Sequence, residues 1–270
     1  MFRKVLSGFF GLVFLVGLGM VLYPSVSNWL NERNASKVIA GYDLAVESIS
    51  DFSSYRLDAY EYNDRIYEYG SLSNAVYKEE LDASSYDSVL NLAGDGIMGV
   101  IRIPKIDVRL PIYHSSSESV LQRAVGHYVG SSLPIGGMNS HCLLTGHRGL
   151  PSAKLFTHLD QLEEGDVFFI DILDEVHAYQ VDLIRTVLPD DVENLDVMEG
   201  LDCVTLITCT PYGVNTHRLL VRGTRVEYRK SEDSNTISTV STSSFSAFYL
   251  VIPIVLIVLV VCIYKKWRGL

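Results

Sequence analysis

The stretch "TLITCTPYGVNTHRLLVRG", Thr205 to Gly223, contains two apolar runs separated by a polar turn. The first run ends at Cys209, and the second opens with His217 and Arg218. Short apolar runs on either side of a Pro- and Gly-containing turn predict two β-strands. If these strands pair antiparallel, Cys209 and Arg218 face each other at the same end of the sheet.

A thiol beside a guanidinium is typical of nucleophilic chemistry. The thiolate is the attacking form of cysteine, and a nearby guanidinium stabilises negative charge on sulfur or on an oxyanion. Such a pair needs a proton carrier, for which histidine is the natural residue because it titrates near neutral pH. The pattern therefore predicts an active site built on Cys209, Arg218 and one of the seven histidines.

His147 is the favoured histidine because it lies in "TGHRG", between glycines and after a predicted strand. Such a loop projects a side chain rather than burying it. His217 neighbours Arg218, so in a strand it points to the opposite face of the sheet.

The other cysteines are predicted to be small buried hydrophobic residues, which is the common role of a lone strand cysteine. Cys203 and Cys209 lie six residues apart on one predicted strand. They are therefore separated by roughly 20 Å, too far for a disulfide. This interpretation applies to Cys142, Cys203 and Cys262.

Two charge-free apolar runs near the chain ends predict membrane helices. Val5–Tyr23 and Phe245–Tyr264 each have about the 20 residues that a helix needs to cross a bilayer. Basic residues flank both runs on the terminal side, so both termini are predicted to be cytoplasmic and the region between them extracytoplasmic. A cleaved signal peptide is the alternative for the first run, whose length exceeds that of an ordinary signal core.

The region between these runs is predicted to hold two amphipathic helices, at 36–50 and 53–70, followed by a polar loop and then seven or eight short strands. Many short strands with brief helical insertions indicate a β-barrel or a sandwich. Breaks are expected at Pro104 and Pro111, a short helix after Ser117, a helix over 152–162 and a hairpin turned at Asp174. The predicted divisions are an anchor or signal at 1–24, helices at 25–77, a lid at 78–96, the barrel at 97–230, a linker at 231–244, a membrane helix at 245–264 and a cytoplasmic tail at 265–270.

A net charge of −10 argues against a nucleic-acid partner. The carboxylates near the predicted barrel show no metal-ligand spacing. No metal and no cofactor are predicted.

Three motifs, "TLITC" ending at Cys209, Arg218 nine residues on, and "TGH" ending at His147, resemble those of a sortase. The longer stretch "CTPYGVNTHRLLVRG" and the two predicted membrane helices resemble the class C, pilus-building branch. The resemblance implies an eight-stranded sortase β-barrel, mainly β, with N-terminal helices. It also implies a cysteine transpeptidase that cleaves a Leu-Pro-x-Thr-Gly-like signal between Thr and Gly, with Cys209 as nucleophile, His147 as acid and base, and Arg218 as the oxyanion or substrate-positioning group.

Class C sortases carry an Asp-Pro-aromatic lid, and the matching positions here hold Ser84, Ser85 and Tyr86. We therefore expect a lid that is anchored more loosely or differently, with Asp82 or Asp87 as a substitute for the missing carboxylate. Tyr86, Asp82 and Thr208 are the predicted lid or substrate contacts.

Several functions fit these residues. The first is pilin polymerisation, with pilin subunits and an acceptor lysine amine as partners. A housekeeping sortase that anchors surface proteins to the cell wall shares the same chemistry. A secreted thiol hydrolase and a non-catalytic, membrane-anchored binding module belong to other classes.

Overall fold

The described residues of the computed structural model are 2–69, 86–191 and 195–230, and they form a closed eight-stranded barrel preceded by two long helices. The barrel order is β1-β2-β3-β4-β7-β8-β6-β5. This closure confirms the barrel and excludes the sandwich. The helices are α1 (Phe2–Ser48), α2 (Ser53–Tyr69) and α3 (Glu118–Leu121), and the strands are β1 (Ile97–Ile103), β2 (Val108–Tyr113), β3 (Val125–His127), β4 (Ser140–Thr145), β5 (Val167–Ile172), β6 (Glu175–Val187), β7 (Asp202–Thr210) and β8 (His217–Val226).

Side chains on β7 alternate between the barrel interior and the outer surface, as the two-residue period of a strand requires. Val204 and Leu206 lie in the main core. Ile207 instead packs with Leu143 and Leu220 in a separate apolar cluster. Odd-numbered β7 residues, Cys209 included, therefore belong to the outer face.

The two long helices pack on the barrel through different surfaces. Ile39 and Tyr42 of α1 join a cluster that includes Val100 of β1. The Tyr42 hydroxyl accepts a hydrogen bond from Leu173 N at 2.9 Å. From α2, Tyr62 lies within the main core, so α2 is part of the barrel's packing.

Three local predictions were wrong. The segment predicted at 36–50 is not a separate helix, because residues 36–48 continue α1 without a break from the apolar run. Residues 152–162 contain only a 3-10 turn, Leu159–Gln161, because two amides of this segment bond outside it: Lys154 N to Asn28 Oδ1 and Phe156 N to His147 O. Pro111 lies within β2 instead of interrupting it. It is tolerated there because β3 pairs with β2 only from Ile112 onward.

Within the described chain, one helical stretch, Gly8–Ser48, is long and apolar enough to cross a membrane, with a mean hydropathy of 2.1 in its best 18-residue window. The predicted second span, Phe245–Tyr264, lies outside the described residues, as do the predicted linker and cytoplasmic tail.

Candidate active site

The β7–β8 hairpin brings the predicted nucleophile and guanidinium together. The strands pair antiparallel, with Cys209 opposite Arg218 and Thr210 opposite His217. Cross-strand neighbours share one face of a sheet, with Cβ atoms about 5 Å apart. The hairpin prediction is confirmed.

Arg218 is held by its own turn. Its Nη1 donates to the carbonyl oxygens of Asn215 at 3.3 Å and His217 at 3.1 Å. In the described part of the chain, no carboxylate forms an ion pair with this guanidinium. The cation therefore keeps capacity for an anion that develops beside Cys209.

His147 is placed by the parallel pairing of β4 with β7. The last registered pair is Thr145 with Ile207, and Gly146 N continues the ladder by donating to Ile207 O at 3.1 Å. His147 and Cys209 each lie two residues beyond that pair. His147 and Cys209 therefore lie at the same edge of the sheet.

Two glycines shape the loop that carries His147. A Cβ on Gly146 would stand 2.8 Å from the Phe156 ring, which is closer than real side chains allow. Gly149 has φ +78°, and a Cβ there would stand 3.0 Å from the Tyr212 ring. The glycines that flank His147 thus permit close packing on both sides of the loop.

Sequence reasoning missed Arg148, which ties this loop to the residue after Cys209. Its side chain is only 8% exposed and pairs with Asp160. Its Nη1 donates to Thr210 Oγ1 at 3.1 Å. In the sequence, the only feature that could have pointed to Arg148 was its position directly after His147.

Glu118, at the start of α3, was also missed. Its Oε1 lies 3.5 Å from His147 Nε2, and that nitrogen has no hydrogen-bond partner. A hydrogen bond from Gln122 and, next, the nearby imidazole lower the pKa of Glu118. The carboxylate is therefore more readily ionised, and it places a negative charge 3.5 Å from the ring nitrogen of His147.

An apolar groove of about 200 Å³ leads along the outer face to Arg218. Arg218, which lines the groove, is the cross-strand neighbour of Cys209. This arrangement suits an extended peptide with an apolar side chain in the groove and a carbonyl at the thiol. The principal apolar lining residues are Leu143, Val187, Leu195, Ile207 and Leu220.

Cys142 and Cys203 are buried, at 2% and 1% exposure, as predicted. Burial raises the pKa of both thiols. Cys209 is partly exposed. Cys262 lies outside the described residues. Of the three cysteines described, Cys209 alone reaches the surface.

Tyr86 and Thr208 do not have the substrate-facing positions predicted for them. Tyr86 is 3% exposed within the main core, where its hydroxyl donates to His127 Nδ1 at 2.8 Å. Burial of this large aromatic side chain in the core stabilises the fold more than a position over a polar site would. Thr208 is 2% exposed because it lies on the inward side of β7, next to Cys209.

Asp82 and Asp87 were predicted as substitutes for the missing lid carboxylate, and the structure describes only the second. Asp82 lies outside the described residues. Asp87 is exposed and makes no ion pair with Arg218. Tyr86 therefore fixes the chain just before β1, and the anchoring of the predicted lid itself remains a prediction.

Replacing Thr208 with Val is expected to lower activity more than stability. The Thr208 hydroxyl donates to Gly146 O at 2.7 Å and thereby positions the residue before His147. Loss of one such bond costs about 1 kcal/mol in the free energy of unfolding. A displaced acid–base group costs roughly tenfold to a hundredfold in kcat. Peptide-cleavage kinetics and urea unfolding measure the two effects.

Thr205→Val is the matched control, since Thr205 is equally buried on β7 but its hydroxyl bonds to His141 Nε2 at 2.7 Å. We expect similar destabilisation without the loss in kcat. Equal losses of kcat in the two variants would contradict the positioning role of Thr208.

Acid is expected to destabilise the barrel through His127. Complete burial lowers the pKa of His127 to about 4, whereas an unfolded histidine titrates near 6.5. The unfolded state therefore binds the proton more readily. The stability from neutral His127 is complete above about pH 6.5 and falls by roughly 3 kcal/mol as the pH drops to about 4.

Urea unfolding over this pH range tests the prediction. His127→Gln is expected to flatten the pH dependence, whereas His158→Gln, at an exposed histidine, is expected to retain it. Burial also lowers the pKa of His141 and His177, so part of the slope persists without His127. An unchanged slope in His127→Gln would refute the assignment.

Comparison with known proteins agrees with this geometry. Residues 101–226 match the sortase domain. Sortase C1 of Streptococcus agalactiae is 48% identical, with a TM-score of 0.67 over 72% of this chain and 100% of that chain. Sortase C of Streptococcus pneumoniae is 39% identical, with a TM-score of 0.62 over 71% of this chain and 97% of that one. Sortase A of Bacillus anthracis is 30% identical over 54% of this chain and 70% of the relative.

The chain belongs to the sortase family of cysteine transpeptidases. Its similarity to solved sortase C structures indicates the class C branch within that family.

Proposed function

We propose that this protein polymerises pilins, by cleaving a Leu-Pro-x-Thr-Gly-like signal between Thr and Gly and joining the Thr to a lysine of another subunit. The observation that carries the proposal is the apolar groove that ends at Arg218 beside Cys209. The similarity to sortase C of Streptococcus pneumoniae, whose crystal structure is described in terms of pilin substrate specificity, favours pilins over other surface proteins.

In the proposed acylation step, the Cys209 thiolate attacks the Thr carbonyl carbon and Arg218 stabilises the oxyanion. The carbon–nitrogen bond to Gly then breaks. His147, which holds the proton taken from the thiol, donates it to the departing amine. Glu118 Oε1 lies 3.5 Å from His147 Nε2, where it can accept a hydrogen bond from the protonated ring.

In the second step, a lysine amine attacks the thioester while His147 accepts its proton. The carbon–sulfur bond breaks, an isopeptide bond forms and the Cys209 thiolate is restored. No net oxidation occurs, and no cofactor is required by this sequence of steps.

We further propose that α1 anchors the enzyme in the membrane, with the barrel on the extracytoplasmic side. Its apolar run is exposed along its length, which in water would be unfavourable. Retention of this run and a second span at 245–264, with both chain ends in the cytoplasm, complete the proposed topology.

Incubation of the enzyme with a purified pilin carrying the sorting signal tests the proposed function. A ladder of covalent pilin oligomers is expected, and mass spectrometry of the linked peptides should locate a Thr–Lys isopeptide bond. Transfer to a cell-wall peptide amine without oligomers would instead identify a housekeeping sortase. Hydrolysis alone, with amines present, would identify a thiol hydrolase.

A further inference from the structure

The long helix α1 links the apolar run directly to the barrel. It continues from Phe2 to Ser48 without interruption. Pro24 lies inside this helix, but the helical rise of about 1.5 Å per residue continues on both sides of it, so the number of residues sets how far each barrel contact lies from the apolar run. The contacts between α1 and the barrel therefore determine which part of the barrel lies nearest the membrane.

These contacts join the part of α1 just beyond the apolar run to the loops around the active site. Asn28 Oδ1 accepts a hydrogen bond from Lys154 N at 2.8 Å, and Asn31 Nδ2 donates to Arg123 O at 3.4 Å. Lys154 lies seven residues after His147 on the same connection. The side of the barrel that first meets α1 is thus the side that carries the acid–base histidine.

The contact at Asn28 lies close to the end of the apolar run. Asn28 follows Tyr23 by five residues, which is about 8 Å along a helix. The headgroup layer on each side of a bilayer is roughly 5–8 Å thick. Tyr23 and Trp29, at 56% and 43% exposure, mark this level as the aromatic residues typical of a membrane interface.

We propose that the turn from Gly149 to Lys154 docks on the lipid headgroups, so that the active site opens beside the bilayer surface. The partner is the membrane itself, and the proposal rests on the anchoring role proposed for α1. The Lys154 side chain is 58% exposed and lies 3.9 Å from Glu32 of α1, in a loose ion pair that leaves its ammonium able to reach the lipid phosphates.

The opposite side of the barrel lies well away from the bilayer. Leu173 contacts α1 at Tyr42, 14 residues beyond Asn28 and so about 21 Å farther along the axis. The neighbouring Asp174 therefore marks the distal surface. Residues 227–244 can extend to about 60 Å, which lets the proposed second span return to the same membrane from the end of β8.

This orientation selects substrates by position as well as by sequence. A peptide held close to the bilayer reaches the Cys209 groove directly, whereas the same peptide far from the membrane does not.

Photocrosslinking of the full-length protein in lipid vesicles tests the orientation. Benzoylphenylalanine is placed singly at position 12, 154 or 174. Leu12 lies in the apolar run at 61% exposure. Lys154 and Asp174 form a matched pair, at 58% and 49% side-chain exposure, each in a surface turn with an ion pair to a helix.

Lipid adducts are expected at positions 12 and 154 and not at 174. An adduct at 12 without one at 154, or equal yields at 154 and 174, would overturn the docked orientation while leaving the anchor intact. The absence of an adduct at 12 would overturn the anchor, and with it this proposal. A flexible Gly/Ser insert after Tyr23 is expected to abolish the adduct at 154 alone, because it breaks the rigid connection.

Discussion

Replacing Cys209 with Ala is expected to reduce cleavage of a sorting-signal peptide by a factor on the order of 10⁴ or more. The substitution removes the atom that forms the thioester, and loss of a nucleophile removes nearly all the advantage of covalent catalysis. The measurement is the rate of peptide cleavage by the purified enzyme, together with isopeptide formation in the presence of a pilin.

Cys203→Ala is the control for this effect, because Cys203 lies on the same strand but is buried at 1% exposure. It is expected to alter stability and leave kcat nearly unchanged. Activity that survives in Cys209→Ala would contradict the nucleophile assignment and favour a binding module. Loss of activity in both variants at unchanged stability would contradict it as well.

Replacing Arg218 with Lys is expected to lower kcat by roughly 10²–10³, the usual cost of losing an oxyanion donor. Lysine keeps the charge but lacks the planar fork of donors, which Arg218 presents beside Cys209. The lysine side chain also lacks the guanidinium nitrogen that donates to the carbonyl oxygens of Asn215 and His217 and so holds the Arg218 side chain in place. Single-turnover acylation kinetics measure the effect.

Arg222→Lys provides the comparison. Arg222 lies four residues along β8 on the same face, where it pairs with Asp182 at 2.9 Å. Because both Nε and Nη2 of Arg222 bond to Asp182, the substitution is expected to cost about 1 kcal/mol in stability and to spare kcat. If Arg218→Lys behaved like Arg222→Lys, the guanidinium would have no part in the transition state.

The sequence predicted the parts of the site that depend on strand register. Cys209 and Arg218 flank a short turn, and paired strands necessarily bring such positions together. His147 was predicted because flanking glycines expose a loop side chain. These inferences needed only periodicity and turn chemistry, which is why they agree with the geometry.

Long-range packing accounts for what the sequence did not predict. Arg148 and Glu118 join the site through contacts between separate elements, and no local pattern marks such contacts. Tyr86 matched a lid position along the chain, yet its aromatic ring lies in the core with Tyr62 of α2. The unbroken α1 was likewise obscured by Pro24, which usually ends or kinks a helix but lies inside α1 here.

We propose that Cys209, with His147 and Arg218 at the same edge of the sheet, carries the acyl group during transfer. Mass-spectrometric peptide mapping after brief incubation with a sorting-signal peptide, quenched in acid, tests it most directly. We predict that the peptide fragment ending in Thr is found attached to Cys209. Hydroxylamine should release this fragment, because it cleaves thioesters. An acyl group mapped to any other residue, or none while cleavage proceeds, would contradict the account.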